Sequence, residues 1–206
     1  MTGRYIVIEG QDATGKDTQA RLLAEYLAKK GEKVVTYSES GTGSENEFIK
    51  TIAKLNYGTD QDIEPRTHAL LYLINRYEQW KKLAEPALLN GETVITTRNW
   101  FSTLIYIGYA SGVSRSLITK LHKEVMPERY FQPDNIVIFT IDEENQLKRL
   151  GTQERSAEFW KSKGGEFQKR LNAGYKQVAK DFAVPTLDAS GTIDEVQAQL
   201  RKLFEI

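Results

Sequence analysis

The chain has 206 residues, of which 40% are hydrophobic and 27% are charged, and its formal net charge at pH 7 is zero. This composition is typical of a folded globular protein with one core, and it argues against a disordered chain, a membrane protein and a protein that coats nucleic acid. Any anion-binding site must therefore come from a local arrangement of side chains. The absence of cysteine excludes disulfides, thiol catalysis and cysteine-ligated metals, and it is typical of a reducing compartment.

Targeting and membrane signals are missing from the sequence. No stretch approaches the roughly 18 consecutive apolar residues that a membrane span needs. The apolar run within residues 1–10 is too short for a secretory signal, so we expect mature sequence from the start. We therefore expect a cytoplasmic protein with neither a membrane nor a nucleic acid as its partner.

Strand-like and helix-like segments alternate along the chain. Short runs of apolar and β-branched residues predict five strands buried on both faces, at residues 5–10, 33–37, 92–97, 135–142 and 184–190. Longer segments with helical spacing lie at residues 16–30, 66–89, 102–125, 143–181 and 193–204. The alternation implies crossover connections. It predicts an α/β fold, a three-layer α/β/α arrangement around a five-stranded parallel sheet, formed as a single domain over residues 1–206.

A phosphate-binding pattern follows the first predicted strand. Residues 9–19 read EGQDATGKDTQ, with Gly10, four residues, Gly15 and Lys16 in the required spacing. Two glycines let backbone N–H groups converge on phosphate oxygens, while the helix N-terminus and the lysine supply positive charge. The alternative is a chance glycine-rich turn, although the predicted strand and helix on either side favour a true phosphate loop. The predicted phosphate contacts are Gly10, Gln11, Asp12, Ala13, Thr14, Gly15, Lys16, Asp17 and Thr18.

The loop and several later segments, taken together, resemble the thymidylate kinase family. That family reads FEG.D..GK.TQ at the loop, followed by TREPGGT..GE.IR, LLF...R and DRY..S..AY. The matching segments here are EGQDATGKDTQ, YSESGTGSENEFIK, LLYLINRYEQ and TTRNWFSTLIY. KRLGTQER and LDAS are similar to the family's lid and to its adenine-side loop. No single motif is decisive, but their shared order over nearly the whole chain is specific.

This resemblance implies an enzyme that uses ATP and Mg²⁺ to phosphorylate thymidine monophosphate (dTMP) to the diphosphate, and a homodimer, which is usual in the family. It implies a P-loop kinase fold with a helical lid at approximately residues 148–166. It also implies that Lys16 and the loop amides hold the donor phosphates and that Arg76 and Arg98 hold the acceptor phosphate. Arg149 and Arg155 fall at lid positions that close over the donor.

The resemblance likewise assigns the acceptor contacts. Asp12 faces the sugar 3′-hydroxyl, Tyr72 stacks on the base, and Tyr106 crowds the 2′ position. The full set of expected dTMP contacts is Asp12, Glu39, Tyr72, Arg76, Arg98, Ser102 and Tyr106, and the expected catalytic residues are Lys16, Arg98, Arg155 and Asp12.

Each of these residues also has a structural interpretation. Tyr72 lies in an apolar helical stripe and such aromatics are usually core. Arg76 or Arg98 can form an ordinary ion pair, and Asp12 can cap a turn. The two histidines, His68 and His122, match no catalytic pattern, and we assign them no role.

The sequence departs from the family pattern at the positions that normally serve magnesium. The hydroxyl expected after Lys16 is replaced by Asp17, and the DRY aspartate is replaced by Thr97. Our hypothesis is that the two ligand types are exchanged, so that Asp17 and Thr97 together serve Mg²⁺. The alternative is that Asp17 favours the helix N-terminus, and that Thr18 or water serves the metal.

Two further departures leave other functions open. Asn99 replaces the DRY tyrosine, and Ile107 replaces a polar residue, both near the expected base pocket. One alternative is therefore a kinase of another deoxynucleoside monophosphate or of a nucleoside. Another, motivated by Thr97, is a non-catalytic nucleotide-binding relative.

Overall fold

The computed structural model describes residues 3–41, 43–57, 63–150 and 154–206, with side chains except at 57, 143 and 154–163. Its strands are Tyr5–Gly10 (β1), Val34–Ser38 (β2), Thr93–Thr97 (β3), Asn135–Thr140 (β4) and Thr186–Asp188 (β5). All neighbouring pairs are parallel, and the order across the sheet is β2-β3-β1-β4-β5. The predicted five-stranded parallel sheet is confirmed.

Helices cover both faces of this sheet. They are Lys16–Lys29 (α1), Glu47–Tyr57 (α2), Pro65–Gln79 (α3), Glu85–Leu89 (α4), Trp100–Thr103 (α5), Arg115–Val125 (α6), Glu143–Leu150 (α7), Glu154–Asp181 (α8) and Ile193–Phe204 (α9). A π-helical stretch, Trp80–Ala84, joins α3 to α4, and a second, Leu104–Ala110, continues α5.

The central strand β1 divides the hydrophobic core in two, because successive side chains of a strand point to opposite faces. Tyr5 and Val7 pack into the larger core with residues from α3 to α6 and from α8. Ile6 and Ile8 pack into the smaller core, which α1 and α9 cover. Burial on both faces explains why β1 is continuously apolar up to Glu9.

The predicted single helix over residues 102–125 is wrong. Helical structure ends at Ala110, and Gly112 adopts φ +79°. The Ser114 side chain then caps α6 by accepting a hydrogen bond from the Leu117 N–H. Glycine tolerates this left-handed conformation and serine satisfies an orphan helix donor, so both residues favour a helix boundary. The helical spacing of apolar residues continues across this boundary, so residues 102–125 resemble a single helix in the sequence.

Two other boundaries differ from the sequence prediction. Helix α2 was not predicted, although Ile49, Ile52 and Ala53 form its buried side, and the Asn46 side chain caps its N-terminus. The predicted helical segment 143–181 contains two helices, α7 and α8, and residues 151–153 between them lie outside the described part. Within α8, the backbone at Gly164 departs from helical geometry, with φ 75° and ψ 167°.

This topology gathers the carboxyl ends of β1, β2 and β3 at one edge of the sheet. Ligands of open α/β sheets bind at that edge, where the strand order reverses. Across the described ranges, no helix has the length and apolar character that crossing a bilayer would require.

Candidate functional site

The loop after β1 has the backbone that the phosphate pattern requires. Gly10 adopts φ +151°, and a Cβ there would lie 3.0 Å from the backbone oxygen of Phe139, so the strand can pass only without a side chain. Gly15 adopts φ +80° immediately before α1 begins at Lys16. The Thr14 hydroxyl donates to the Gln11 carbonyl at 2.8 Å and closes the turn. Backbone N–H groups at the start of α1 therefore face the loop, as in an anion site.

Lys16 and Arg98 meet at one carboxylate, that of Asp12. The Nζ of Lys16 lies 3.8 Å from Asp12 Oδ1, and Arg98 forms an ion pair with the same oxygen. Burial lowers the pKa of Lys16, and the charge of Arg98 lowers it further, while Asp17 and Asp12 oppose the shift. Two cations and one carboxylate thus converge between the loop and the end of β3. Their positive charges suit a phosphate group in addition to any that the loop itself binds.

The position of Arg98 is fixed by the turn that follows β3. Its backbone is left-handed, with φ +70°, and its Nη1 donates to the Ser102 hydroxyl at 3.1 Å. The Arg98 guanidinium carbon lies 5.3 Å from the centre of the Tyr106 ring. A non-glycine residue at such a φ is strained, and strained residues concentrate at functional sites.

Glu9, which was not among the predicted site residues, holds this turn in place. Its carboxylate is fully buried and accepts hydrogen bonds from the Asn99 N–H at 2.7 Å and from both the N–H and the hydroxyl of Ser102. The available signal was a carboxylate at the end of a strand buried on both faces, since buried charges are rarely left without partners. Glu9 therefore ties β1 to the segment that carries Arg98.

Asp17 and Thr97 are hydrogen-bonded partners, although 80 residues separate them. The Thr97 hydroxyl, at the carboxyl end of β3, donates to Asp17 Oδ1 at 2.6 Å. The second Asp17 oxygen lies 3.7 Å from Lys16 Nζ. Burial would raise the pKa of Asp17, but the charge of Lys16 and the Thr97 hydrogen bond outweigh it and lower that pKa. Asp17 is therefore an ionised carboxylate beside the loop lysine, with a hydroxyl against it.

These two oxygen-bearing side chains fit a magnesium ion shared with nucleotide phosphates, since Mg²⁺ usually takes one or two carboxylates and keeps several waters. Thr18, the third expected ligand, follows in the first turn of α1 and is partly buried. No cluster of three or more His, Cys, Asp or Glu side chains occurs among the residues that the structure describes.

Arg76 and Glu39, both expected dTMP contacts, form a buried ion pair. Arg76, 2% exposed, donates from Nε to Glu39 Oε2 at 2.7 Å, and it also bonds the Thr103 hydroxyl. The Tyr130 hydroxyl donates to the same Glu39 oxygen at 2.9 Å. The guanidinium carbon of Arg76 lies 5.4 Å from the centre of the Tyr72 ring. Tyr72 is partly buried against the larger core, so its structural interpretation also applies.

Titration of Glu39 is expected to lower the free energy of unfolding as pH rises from 4.5 to 7. Burial raises the pKa of this carboxyl from 4.5 to about 7, against the opposing charge of Arg76. Between these values the folded protein binds more protons at Glu39 than the unfolded chain does, so rising pH favours unfolding.

Urea unfolding of the wild type and of Glu39→Gln at several pH values measures this effect, because glutamine does not titrate. The unfolding free energy of the wild type minus that of Glu39→Gln should decline between pH 4.5 and 7 and level off above pH 7. A difference that stays constant, or rises, across this window would contradict the prediction.

Asn99 and Ile107, which motivated a different base preference, both have structural roles. Asn99 is 1% exposed, and its side chain caps α5 by accepting a hydrogen bond from the Phe101 N–H at 2.9 Å. Ile107 is buried in the larger core. These contacts account for both residues without a nucleotide.

Arg149, the first predicted lid arginine, bridges two loops. It donates to the carbonyl of Ala13 in the phosphate loop at 3.4 Å and to the carbonyls of Ala189 at 2.9 Å and Gly191 at 3.3 Å. The predicted lid arginine therefore lies between the phosphate loop and the segment after β5. Arg155 lies in α8, but its side chain is outside the described residues, as are residues 151–153 of the predicted lid.

The two histidines, to which the sequence assigned no role, lie in different surroundings. Burial lowers the pKa of His122 to about 3, and the charge of Arg76 adds to this effect, so the ring is neutral at physiological pH. His68 contacts Asn56 at 3.2 Å, and its ring lies 6.5 Å from that of Tyr72.

Known proteins similar to this chain are thymidylate kinases. The family model for thymidylate kinase matches residues 8–200. The thymidylate kinase of Caldicellulosiruptor saccharolyticus is 34% identical over 206 residues, covering 100% of this chain and 97% of the relative. That of Ruegeria pomeroyi is 32% identical over 204 residues, covering 98% and 94%. The crystal structure of thymidylate kinase from Ehrlichia chaffeensis superposes with a TM-score of 0.78 at 25% identity, covering 100% of both chains.

Proposed function

Because this chain belongs to the thymidylate kinase family, we propose that it transfers the terminal phosphoryl group of ATP to dTMP, giving dTDP and ADP. The observation that carries this proposal is the convergence of Lys16 and Arg98 on Asp12, between the phosphate loop and the end of β3. In the reaction, an oxygen of the dTMP phosphate forms a bond to the γ-phosphorus of ATP, and the bond from that phosphorus to the bridging oxygen of ADP breaks. Such transfer needs positioning and charge neutralisation more than covalent help from the protein.

The two cations divide this work between donor and acceptor. Lys16 and the loop amides hold the donor phosphates, and Arg98, whose planar fork suits a phosphate, holds the acceptor phosphate. Asp12 pairs with both cations, so entry of the acceptor phosphate transfers Arg98 to the substrate and leaves Asp12 to accept the sugar 3′-hydroxyl.

The remaining acceptor contacts follow the family pattern. Tyr72 stacks on the base, Tyr106 crowds the sugar 2′ position, and Ser102 keeps Arg98 aimed at the phosphate. Arg76, with Glu39 as its counter-charge, supports the acceptor from the buried side of the pocket. The Arg76 guanidinium lies next to the Tyr72 ring. A planar base is proposed to stack on this ring from the solvent side.

Magnesium is the proposed metal, held by Asp17 and Thr97 in place of the usual hydroxyl and carboxylate pair, with Thr18 as an additional ligand. When bound with ATP, it neutralises charge on the donor phosphates. The lid, at approximately residues 148–166, is proposed to bring Arg149 and Arg155 over the donor, and the whole chain is proposed to act as one domain.

A coupled assay of ADP release tests the proposed function directly. It compares the four deoxynucleoside monophosphates as acceptors in the presence of Mg²⁺, with Lys16→Ala as the inactive control. We expect dTMP to be preferred. A strong preference for a purine would reject the assigned acceptor, and tight ATP binding without turnover on any acceptor would favour a non-catalytic relative.

A homodimer is proposed to form through α3. Three large apolar side chains on this helix, Leu70, Ile74 and Tyr77, are 48%, 42% and 37% exposed, and their spacing of four and three residues places them on one face. A stable dimer interface generally buries about 1,000 Å² or more, and a helix pair with such a stripe can supply its centre. We also place the reaction in the cytoplasm, in keeping with the cysteine-free sequence.

Ile74→Glu is expected to convert the dimer to a monomer, because it places a charge at the centre of the apolar face. Light scattering over a range of concentrations measures the mass. Leu203→Glu is the matched control, since Leu203 is also exposed but lies on α9, on the other side of the sheet. A wild type that remains monomeric, or an Ile74→Glu variant that remains dimeric, would contradict this assignment.

A further inference from the structure

A group of four side-chain amides joins the phosphate loop to the parts of α7 and α8 that lie on either side of the predicted lid. This amide cluster consists of Gln11 from the loop, Gln146 from α7, and Gln168 and Asn172 from α8. Gln11 Oε1 accepts hydrogen bonds from Gln146 Nε2 at 2.9 Å and from Gln168 Nε2 at 3.0 Å. Gln11 Nε2 donates to Asn172 Oδ1 at 2.5 Å. Both ends of one loop side chain are thus held by two helices.

The cluster also reaches the loop backbone and the catalytic lysine. Gln146 Nε2 donates to the Asp12 carbonyl at 3.2 Å, so two successive loop residues are bound by the same side chain. The carbonyl of Gln11 itself accepts from the Thr14 hydroxyl at 2.8 Å and from Lys16 Nζ at 3.4 Å. A chain of contacts therefore runs from α7 and α8, through Gln11, to the ammonium group of Lys16.

These partners are neutral, which distinguishes the cluster from the ion pairs around it. Glutamine and asparagine each offer two donors and one acceptor oxygen, so the group can be satisfied internally without a counter-charge. Gln146 is 5% exposed, and a buried polar group of this kind is costly unless its hydrogen bonds are kept. The arrangement therefore specifies one relative position of loop and helices.

We propose that Gln11 is a positioning residue, which acts through the amide cluster to hold Lys16 and the phosphate loop in register with the helices on either side of the lid. This inference rests on the proposed function, because it assigns the cluster a part in phosphoryl transfer. Gln11 sets the angle of the loop rather than adding charge at the reacting phosphate. Its loss is therefore expressed in kcat more than in the affinity for dTMP.

Gln11→Leu is the main test, because leucine keeps a similar volume but removes the donor and the acceptor. We expect kcat to fall about tenfold, with KM for dTMP changed less than about threefold, since small misplacements of catalytic groups are costly to rate. Asn172→Asp keeps the acceptor for Gln11 Nε2 and should retain most of the wild-type kcat. Asn172→Leu removes that acceptor, and its kcat should fall about as much as that of Gln11→Leu. Gln177→Leu is the matched control on α8, since Gln177 bonds Asp181 within its own helix.

A second measurement does not depend on turnover. Hydrogen exchange of the loop amides over residues 11–15 should become faster in Gln11→Leu than in the wild type, and stay unchanged in Gln177→Leu. If the wild type fails to phosphorylate dTMP but the loop exchange responds as expected, the proposed function fails and the contact between loop and helices stands. A Gln11→Leu kcat within twofold of the wild type, or a loss that disappears when the assay is cooled below the variant's unfolding range, would overturn the positioning role.

Discussion

Arg98→Ala is expected to lower kcat/KM for dTMP about 10³-fold, the scale of losing one cation that neutralises a transferring phosphoryl group. Arg98 pairs with Asp12 beside Lys16, and Ser102 holds it there. In the proposed function, removing it leaves the acceptor phosphate without its bidentate partner. Arg98→Lys should recover part of this loss, because lysine restores the charge but not the planar fork.

Stability is expected to separate the two small substitutions at this position. The backbone of Arg98 has φ +70°, a conformation that glycine adopts without strain and alanine does not. Arg98→Gly should therefore be more stable than Arg98→Ala, by about 1 kcal/mol, while both show a similarly large loss of kcat/KM. Steady-state kinetics and urea unfolding on the same preparations measure both quantities.

Two results would count against this account of Arg98. Retention of more than about a tenth of the wild-type kcat/KM in Arg98→Ala would remove it from the acceptor phosphate. An alanine variant as stable as the glycine variant would show that the left-handed backbone relaxes when the arginine contacts are lost.

Reciprocal exchange of Asp17 and Thr97 is expected to restore what each single change removes. Asp17→Ser deletes the carboxylate and should reduce Mg²⁺-dependent turnover about 10- to 100-fold, the range seen when partners of a metal site are altered. Thr97→Asp places a second carboxylate where the Thr97 hydroxyl now bonds Asp17 at 2.6 Å, and like charges at such a distance oppose ionisation. The double variant again has one carboxylate and one hydroxyl. Its Mg²⁺-dependent turnover should therefore be higher than the value obtained by multiplying the losses of the two single variants.

Nucleotide binding gives a readout besides activity. Calorimetry of ATP binding with Mg²⁺ and with a chelator measures how much the metal contributes to affinity in each variant. The contribution should shrink in Asp17→Ser and return in the double variant. Glu25→Ser is the control for losing a negative charge from α1, because Glu25 is exposed and pairs with Arg21.

The exchange hypothesis would be rejected if the double variant were no better than its two single changes predict. An Asp17→Ser variant whose ATP affinity depends on Mg²⁺ as strongly as that of the wild type would favour the alternative, in which Asp17 serves the helix N-terminus and Thr18 or water serves the metal.

Local sequence signals predicted those parts of the fold that depend on neighbouring residues along the chain. The apolar run at Tyr5–Gly10 and the glycines at 10 and 15 fix a strand, a turn and a helix start through short-range sterics, and all three were confirmed. The boundary at Gly112 and Ser114 was missed because apolar spacing continued across it. Helix α2 was missed because its capping residue, Asn46, lies in the segment YSESGTGSENEFIK, which was interpreted only as a match to a family motif.

The sequence alone determined a five-stranded parallel α/β fold, a phosphate loop and membership of a nucleotide kinase family, because strand burial, turn chemistry and motif order are properties of successive residues. The tertiary structure decided the contacts themselves: Thr97 donates a hydrogen bond to Asp17, a pair that the motif comparison had only suggested, Arg98 pairs with Asp12, and four amides gather around Gln11. It also decided that Asn99 caps a helix and that Ile107 fills the core. Contacts between residues far apart in the chain depend on strand order and helix packing, and no local pattern encodes that geometry.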